Sequence, residues 1–291
     1  MNPRQASLRS HTRSTAIPTK RAPSDHADPS ASSKKSQPRK KPKKSADSQP
    51  ACVDPTETLP SYEILTKLSE PLIYVQGMLE KQGQKGELAE LDERLRSTAY
   101  WTRSPEDEGG TDAKDRLLEV VRWKILRGQF RPTLAALVSQ NSPENVQRIV
   151  SKALLLLAPC RTTQQALQSD SLTILCQLKG VGPATAAAFL SFEAPTLVPV
   201  FSDEAASFFT DSLGAIKYTL SFYKKYAACI AASLERLSVV HRDAHWDLQR
   251  LERALWAFRV LRNKLPDAQW HQLFHQPTLV PASTSSVPPP I

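Results

Sequence analysis

Residues 178–190 read Leu178-Lys-Gly180-Val-Gly182-Pro-Ala-Thr-Ala-Ala-Ala-Phe-Leu190. Two glycines bracket one apolar residue, a proline follows, and a run of small helix formers comes next. Glycine permits positive φ and close approach of another backbone. Proline suits the first helical turn, where its missing N–H costs nothing. The stretch therefore predicts a tight hairpin opening into a helix, preceded by a helix over Ser171–Leu178 with Asp170 as its cap. The unpaired N–H groups at such a helix start can receive a phosphate oxygen. A helix-hairpin-helix of this kind grips a nucleic-acid backbone without reading its sequence. Its plainer alternative is a glycine-containing turn packed inside a helical domain with no ligand.

The pattern on either side is helical. Tyr62, Ile64, Leu65 and Leu68 share a helical stripe, and Pro71 begins a second helix or kinks the first. Leu88, Leu91 and Leu95 continue it. Residues 112–127 form a strong amphipathic segment that Gly128 ends. Arg131-Pro132 opens a short helix through Leu137, and Ser142-Pro143 caps and starts another through Leu157. Pro183–Phe192 is the helix after the hairpin; residues 203–211, 217–236 and 245–263 follow. Almost nothing alternates with period two. The expectation is an all-α domain, a bundle of about ten helices over residues 58–275. A basic tail (1–57) precedes it and a Pro-rich tail (276–291) follows.

The net charge of +9 is local. Residues 1–50 hold twelve Lys or Arg and three Asp, which accounts for all of it; the other 26 basic and 26 acidic residues cancel. General electrostatic attraction to duplex needs many phosphate-neutralising cations, so a neutral domain binds through a local patch or not at all. The tail is rich in Ser, Pro, Lys and Arg, a composition that cannot bury enough surface to order itself. Lys34, Lys35, Arg39, Lys40, Lys41, Lys43 and Lys44 form a dense basic run. It reads as a nuclear-import signal with an import receptor as partner, or as a nucleic-acid-touching arm; a solvated linker is the alternative. The acid-free first 24 residues also suit a mitochondrial presequence, against which Pro3 and Pro18 argue. No apolar run approaches the ~20 residues of a membrane helix, so no membrane partner is expected. Cys52, Cys160, Cys176 and Cys229 are widely spaced without a CxxC, which points to reduced thiols rather than disulfides or structural zinc. His241/His245 and His271/His275 have i,i+4 spacing but lack a third ligand, so no metal is assigned.

With the hairpin, a further motif matters. Leu178-x-Gly-Val-Gly-Pro-x-Thr-Ala186 is followed seventeen residues on by Asp203, in the loop Val198-Pro-Val-Phe-Ser-Asp203. This resembles the helix-hairpin-helix-GPD superfamily of DNA glycosylases, in which a hairpin, a helix and a Gly/Pro-rich loop lead to a catalytic Asp. Trp123-Lys124, Arg127-Gly128-x-Phe130-Arg131-Pro132 and Ser202-Asp203-Glu204 also resemble a group of uncharacterised fungal proteins at the edge of that superfamily. The resemblance spans residues ~110–262 and is most specific over 178–205. It implies a two-lobed all-α fold, a nuclear role in base-excision repair, and no cofactor. It further implies Asp203 as the catalytic carboxylate, with backbone contact to DNA through Lys179, Gly180, Val181, Gly182, Ala184 and Thr185. In bifunctional members a lysine two residues after the second hairpin glycine forms a Schiff base. Here that position is Ala184, which implies a monofunctional enzyme without strand cleavage. The Thr-His pair that usually follows the Asp is replaced by Glu204-Ala205, and the four-cysteine iron–sulfur loop of some members is missing.

The residues alone leave alternatives open. Asp203 also reads as the N-cap of the next helix, a role Asp favours. Lys124, Arg127 and Arg131 read as a candidate cationic cluster around Gly128, or as basic groups at the negative end of a helix dipole. Trp123, Trp246 and Trp256 sit on helical stripes and read as core; nothing decides Trp101. The rivals to a base-excising enzyme are a catalytically inactive DNA- or protein-binding helical module, and a helical interaction domain whose tail serves localisation alone.

Overall fold

The computed structural model describes residues 59–82, 86–102, 106, 112–242 and 245–275. The basic run at Lys34–Lys44, most of the loop over 104–111 and the Pro-rich tail lie outside the described residues. Every regular element described is helical, in the order α1 (Tyr62–Leu68), α2 (Pro71–Gln82), α3 (Glu87–Arg96), α4 (Thr98–Thr102), α5 (Ala113–Arg127), α6 (Leu134–Ser139), α7 (Pro143–Leu157), α8 (Thr163–Gln168), α9 (Ser171–Leu175), α10 (Pro183–Glu193), α11 (Asp203–Ala206), a 3-10 turn (Ser207–Phe209), α12 (Thr210–Leu213), α13 (Leu220–Val240), α14 (Leu248–Lys264) and α15 (Asp267–His275). Among the described residues no helix is long and apolar enough to cross a membrane.

The long helices lie where the apolar periodicity and caps place them. Asp112 accepts from the Asp115 N–H to start α5, and the N–H of Gly128 closes it on the Lys124 carbonyl. Ser142 caps α7 through the Asn145 N–H, with Pro143 in the first turn. Each such cap contributes about 1 kcal/mol. Beyond the expected helices stand the nine-residue α15 and the one-turn segments α4, α8 and α12, of four to six residues. Segments this short hold no full apolar repeat and form only against neighbours. The single helix expected over 203–211 is broken into α11, a 3-10 turn and α12, and this break buries both Phe208 and Phe209. The helix expected over 217–236 runs instead from Leu220 to Val240, after the Thr219 cap.

The centre of the domain is α10. Every residue from Ala184 to Phe192 is buried, as in a helix enclosed on all sides. Its small residues let α5, α9 and α13 approach. Trp123 of α5 meets Phe192 edge-on at 5.0 Å. Trp101 is packed as well: its ring stacks on Phe192 and its indole N–H donates to the Leu95 carbonyl. Trp246 and Trp256 are buried with Trp123. A second set of helices, α1, α2 and α11, packs on α14. Gly77 brings α2 against that helix; a Cβ there would lie 3.3 Å from the Trp256 ring. Between α2, α3 and α5, Asp92 accepts from Tyr74 Oη, Trp123 Nε1 and the Arg96 guanidinium. Burial alone would raise the Asp92 pKa, but Arg96 beside it holds the carboxyl below its usual range.

Candidate functional site

The turn between α9 and α10 is held by its neighbours. Gly180 has φ of +76°, a left-handed conformation that side chains rarely adopt. A Cβ at this position would lie 2.9 Å from Val138 Cγ2 and 3.1 Å from the Val138 nitrogen. Asn141, at the end of α6, clamps the same turn. Its Oδ1 accepts from the Lys179 N–H at 3.0 Å, and its Nδ2 donates to the Lys179 carbonyl at 3.0 Å. Gly182 differs from Gly180 in kind: it is extended and exposed, and a Cβ there would meet nothing within 4 Å. It caps α10 ahead of Pro183.

This geometry narrows the expected backbone-binding set. Val181 and Thr185 are buried, and their N–H groups donate inward to the Leu178 and Gly182 carbonyls. Thr185 and Val181 are thus corrected from surface contacts to parts of the turn's own frame, because the core claims their side chains. The Lys179 N–H is taken by Asn141, though its side chain is exposed. Gly180, Gly182 and Ala184 keep N–H groups without an acceptor among the described residues.

The turn forms one wall of a cavity of about 190 Å³. Asp203 stands on the second wall, at the first position of α11 rather than at its cap. The capping expected of Asp203 is done by Ser202, whose hydroxyl accepts from the Ala205 N–H. Asp203 is thereby released to point at the cavity. Its Oδ2 accepts from Tyr218 Oη at 2.6 Å. Burial, then the Asp203 carboxylate, pushes the Tyr218 phenol up to about 12. Arg131 lies over the Tyr218 ring at 4.8 Å.

The third wall is the end of α5, with Lys124 and the loop carrying Gln129 and Arg131. Between those two, Phe130 projects to solvent, 77 % exposed. The cationic cluster expected of Lys124, Arg127 and Arg131 does not assemble as three surface charges. Arg127 is 2 % exposed and donates to Glu252 at 2.7 Å, because its guanidinium lies between the Trp123 and Trp256 rings, 4.9 and 4.7 Å away. Lys124 and Arg131 remain at the cavity. The ammonium of Lys124 has no hydrogen bond or ion pair to any described residue. Removal from water lowers its pKa; Asp203 opposes this, and Arg131 and Arg127 reinforce it.

One buried carboxylate ties two walls together. Glu252 of α14 accepts from Arg127 through Oε2 and from the Ser202 hydroxyl at 2.6 Å through Oε1. It therefore holds the α5 wall one turn from Lys124 and the α11 wall next to Asp203. The loop into Asp203 is anchored from α13, where Tyr223 and Tyr226 donate to the Pro199 and Val200 carbonyls at 3.0 and 2.9 Å. Lys81 of α2 completes the frame with an ion pair to Glu204 at 2.8 Å. Sequence reasoning missed Asn141, Tyr218 and Glu252. Glu252 alone carried a readable signal: it shares a helical stripe with Leu248, Leu255 and Trp256, an acid on an apolar face.

The chain was compared with known proteins, and no family model, curated protein or solved structure matches it.

Proposed function

We propose that this chain is a divergent DNA-glycosylase-like protein of the helix-hairpin-helix-GPD type. In this reading α9, the Gly180–Gly182 turn and α10 are the helix-hairpin-helix, and the N–H groups of Gly180, Gly182 and Ala184 hold a DNA phosphate, with Lys179 alongside. The two groups of helices, one around α10 and one around α14, correspond to the two lobes. A flipped nucleotide occupies the cavity between turn and α11. The Asp203 carboxylate then stabilises the cation-like sugar as the bond to the damaged base breaks. Exposed Phe130 stands at the cavity edge, suited to fill the gap the flipped base leaves in the stack. The basic run Lys34–Lys44 serves nuclear import.

One observation carries the reading: Asp203 and the glycine turn, whose Gly182 lies 21 residues earlier, line a single cavity. The test is base release from a panel of lesion-bearing duplexes, comparing wild type with Asp203→Asn. Excision by wild type and its loss in the variant is the expected result. A panel left intact by both proteins, with salt-dependent duplex binding unchanged, favours instead the catalytically inactive DNA-binding module. One contact leans that way: Tyr218 already occupies an oxygen of Asp203. No duplex or single-strand binding at low salt would overturn both.

A further inference from the structure

The segment between α12 and α13 passes the cavity mouth and is held there by little. Gly214 opens it at φ of +75°, with nothing within 4 Å of where a Cβ would stand. Thr219 closes it by capping α13 through the Phe222 N–H. Among the described residues, no backbone hydrogen bond ties residues 215–218 to the rest of the chain. Gly214, Ala215, Lys217 and Tyr218 are exposed, and Ile216 is half-buried against the core. The other hold is Tyr218, which lines the cavity. Its Oη donates to Asp203 Oδ2 at 2.6 Å, and its ring stands 6.0 Å from that of Phe201, with the Arg131 guanidinium over it at 4.8 Å. Arg131 and Lys217 are exposed, and neither forms an ion pair with a described carboxylate. A strap without a backbone ladder and with few buried contacts lies at the low end of local stability. Held chiefly by two side chains, it has the parts of a two-position element.

We infer that Tyr218 is a latch: in the free protein the strap 214–219 keeps the Asp203 carboxylate occupied, and it swings off when a backbone phosphate takes Arg131 and Lys217. The inference rests on the DNA reading above and gives its site a closed and an open state. In the closed state the phenol holds one oxygen of Asp203, and its ring stands where a flipped nucleotide must enter. A phosphate offers a guanidinium paired, charge-assisted hydrogen bonds, a stronger partner than the face of an exposed ring. It therefore draws Arg131 from over Tyr218 and removes one of the contacts that keep the strap down. The phenol remains a donor throughout the physiological range, because burial and Asp203 hold its proton on. Any ligand that needs Asp203 binds more weakly by the fraction of protein that stands open. A hydrogen bond to a charged group, trimmed for its exposure here, sets that reduction at about five- to tenfold.

The experiment uses the full chain labelled with 3-fluorotyrosine and read by fluorine NMR, with Tyr218→Phe identifying the resonance. Asp203→Ala supplies its unlatched position. Saturating undamaged duplex should move the wild-type resonance toward that position, and Arg131→Gln should show part of the shift without duplex. In parallel, single-turnover base release from the lesion panel is compared between wild type and Tyr218→Phe, which keeps the ring and removes the donor. The variant is expected to be faster by about five- to tenfold. A resonance unmoved by a duplex that binds overturns the latch and leaves the DNA reading standing. So does a wild type that releases bases beside a variant that releases them no faster. A shift with no release from either protein keeps the latch and makes the chain the inactive binding module. A wild type that binds no duplex overturns both.

Discussion

Gly180 and Gly182 look equivalent in the sequence, and the structure separates them into a folding residue and a surface residue. Gly180→Ala forces an L side chain to φ of +76°, at about 1–2 kcal/mol. Its Cβ also arrives 2.9 Å from Val138 Cγ2, 3.0 Å from Leu137 Cβ and 3.1 Å from the Val138 backbone nitrogen. Two of these atoms are anchored in or near the backbone of α6 and cannot swing aside, so overpacking adds about 1–3 kcal/mol. The total, about 2–5 kcal/mol, lowers the melting temperature of a domain this size by about 4–20 °C. Gly182→Ala is the matched control. Its φ of −97° suits alanine and its Cβ meets nothing, so stability holds or rises by about 0.4–1 kcal/mol. On the DNA reading, that methyl group nonetheless stands beside the N–H groups left without an acceptor among the described residues and obstructs a phosphate. Calorimetry with duplex titration on both variants gives the answer. If Gly180→Ala melts within about 2 °C of wild type, or Gly182→Ala is the less stable of the two, the reasoning about this turn is wrong.

Glu252→Ala leaves the Arg127 guanidinium buried and unpaired between two indoles and frees the Ser202 hydroxyl; a loss of about 3–5 kcal/mol is expected by denaturant unfolding, and a loss under about 1 kcal/mol would show that the pair holds nothing together. Lys124→Met removes an amine kept from water without a partner, so it raises stability at neutral pH by about 0.5–2 kcal/mol. The sign follows from linkage: the folded pKa of Lys124 lies below its ordinary 10.5, the unfolded chain binds more protons between those values, and wild-type stability rises with pH across that window. Melting curves on either side of it should therefore converge for wild type and Lys124→Met, and parallel curves would refute the desolvated amine. Burial, then the hydrogen bond to Asp203 and its charge, push the Tyr218 phenol up to about 12. Asp203→Asn brings the phenol down toward its ordinary 10, read by phenolate absorbance against a Tyr218→Phe blank; an unmoved titration would deny the 2.6 Å bond. Phe130→Ala leaves stability within about 0.5 kcal/mol but weakens duplex binding; equal affinity would remove Phe130 from the interface.

The amino-acid sequence by itself determined the helical class, the long helices and the glycine turn before α10. These follow from local physics: a repeat near 3.6 residues, side-chain caps such as Asp112 and Ser142, and the backbone freedom of Gly180. The one-turn helices α4, α8 and α12 were illegible because segments of four to six residues have too little pattern to read and exist through their contacts. The site divides the same way. The turn was legible from its glycines and proline, and Asp203 was named through the resemblance, yet their meeting at one cavity is a product of tertiary packing. Packing also moved the cap from Asp203 to Ser202 and drew Arg127 inward to Glu252, 125 residues away. It left Lys124 and Arg131 at the cavity with Asp203. A charge is assigned to core, surface or cavity by what its neighbours leave for it, and that decision belongs to the folded chain.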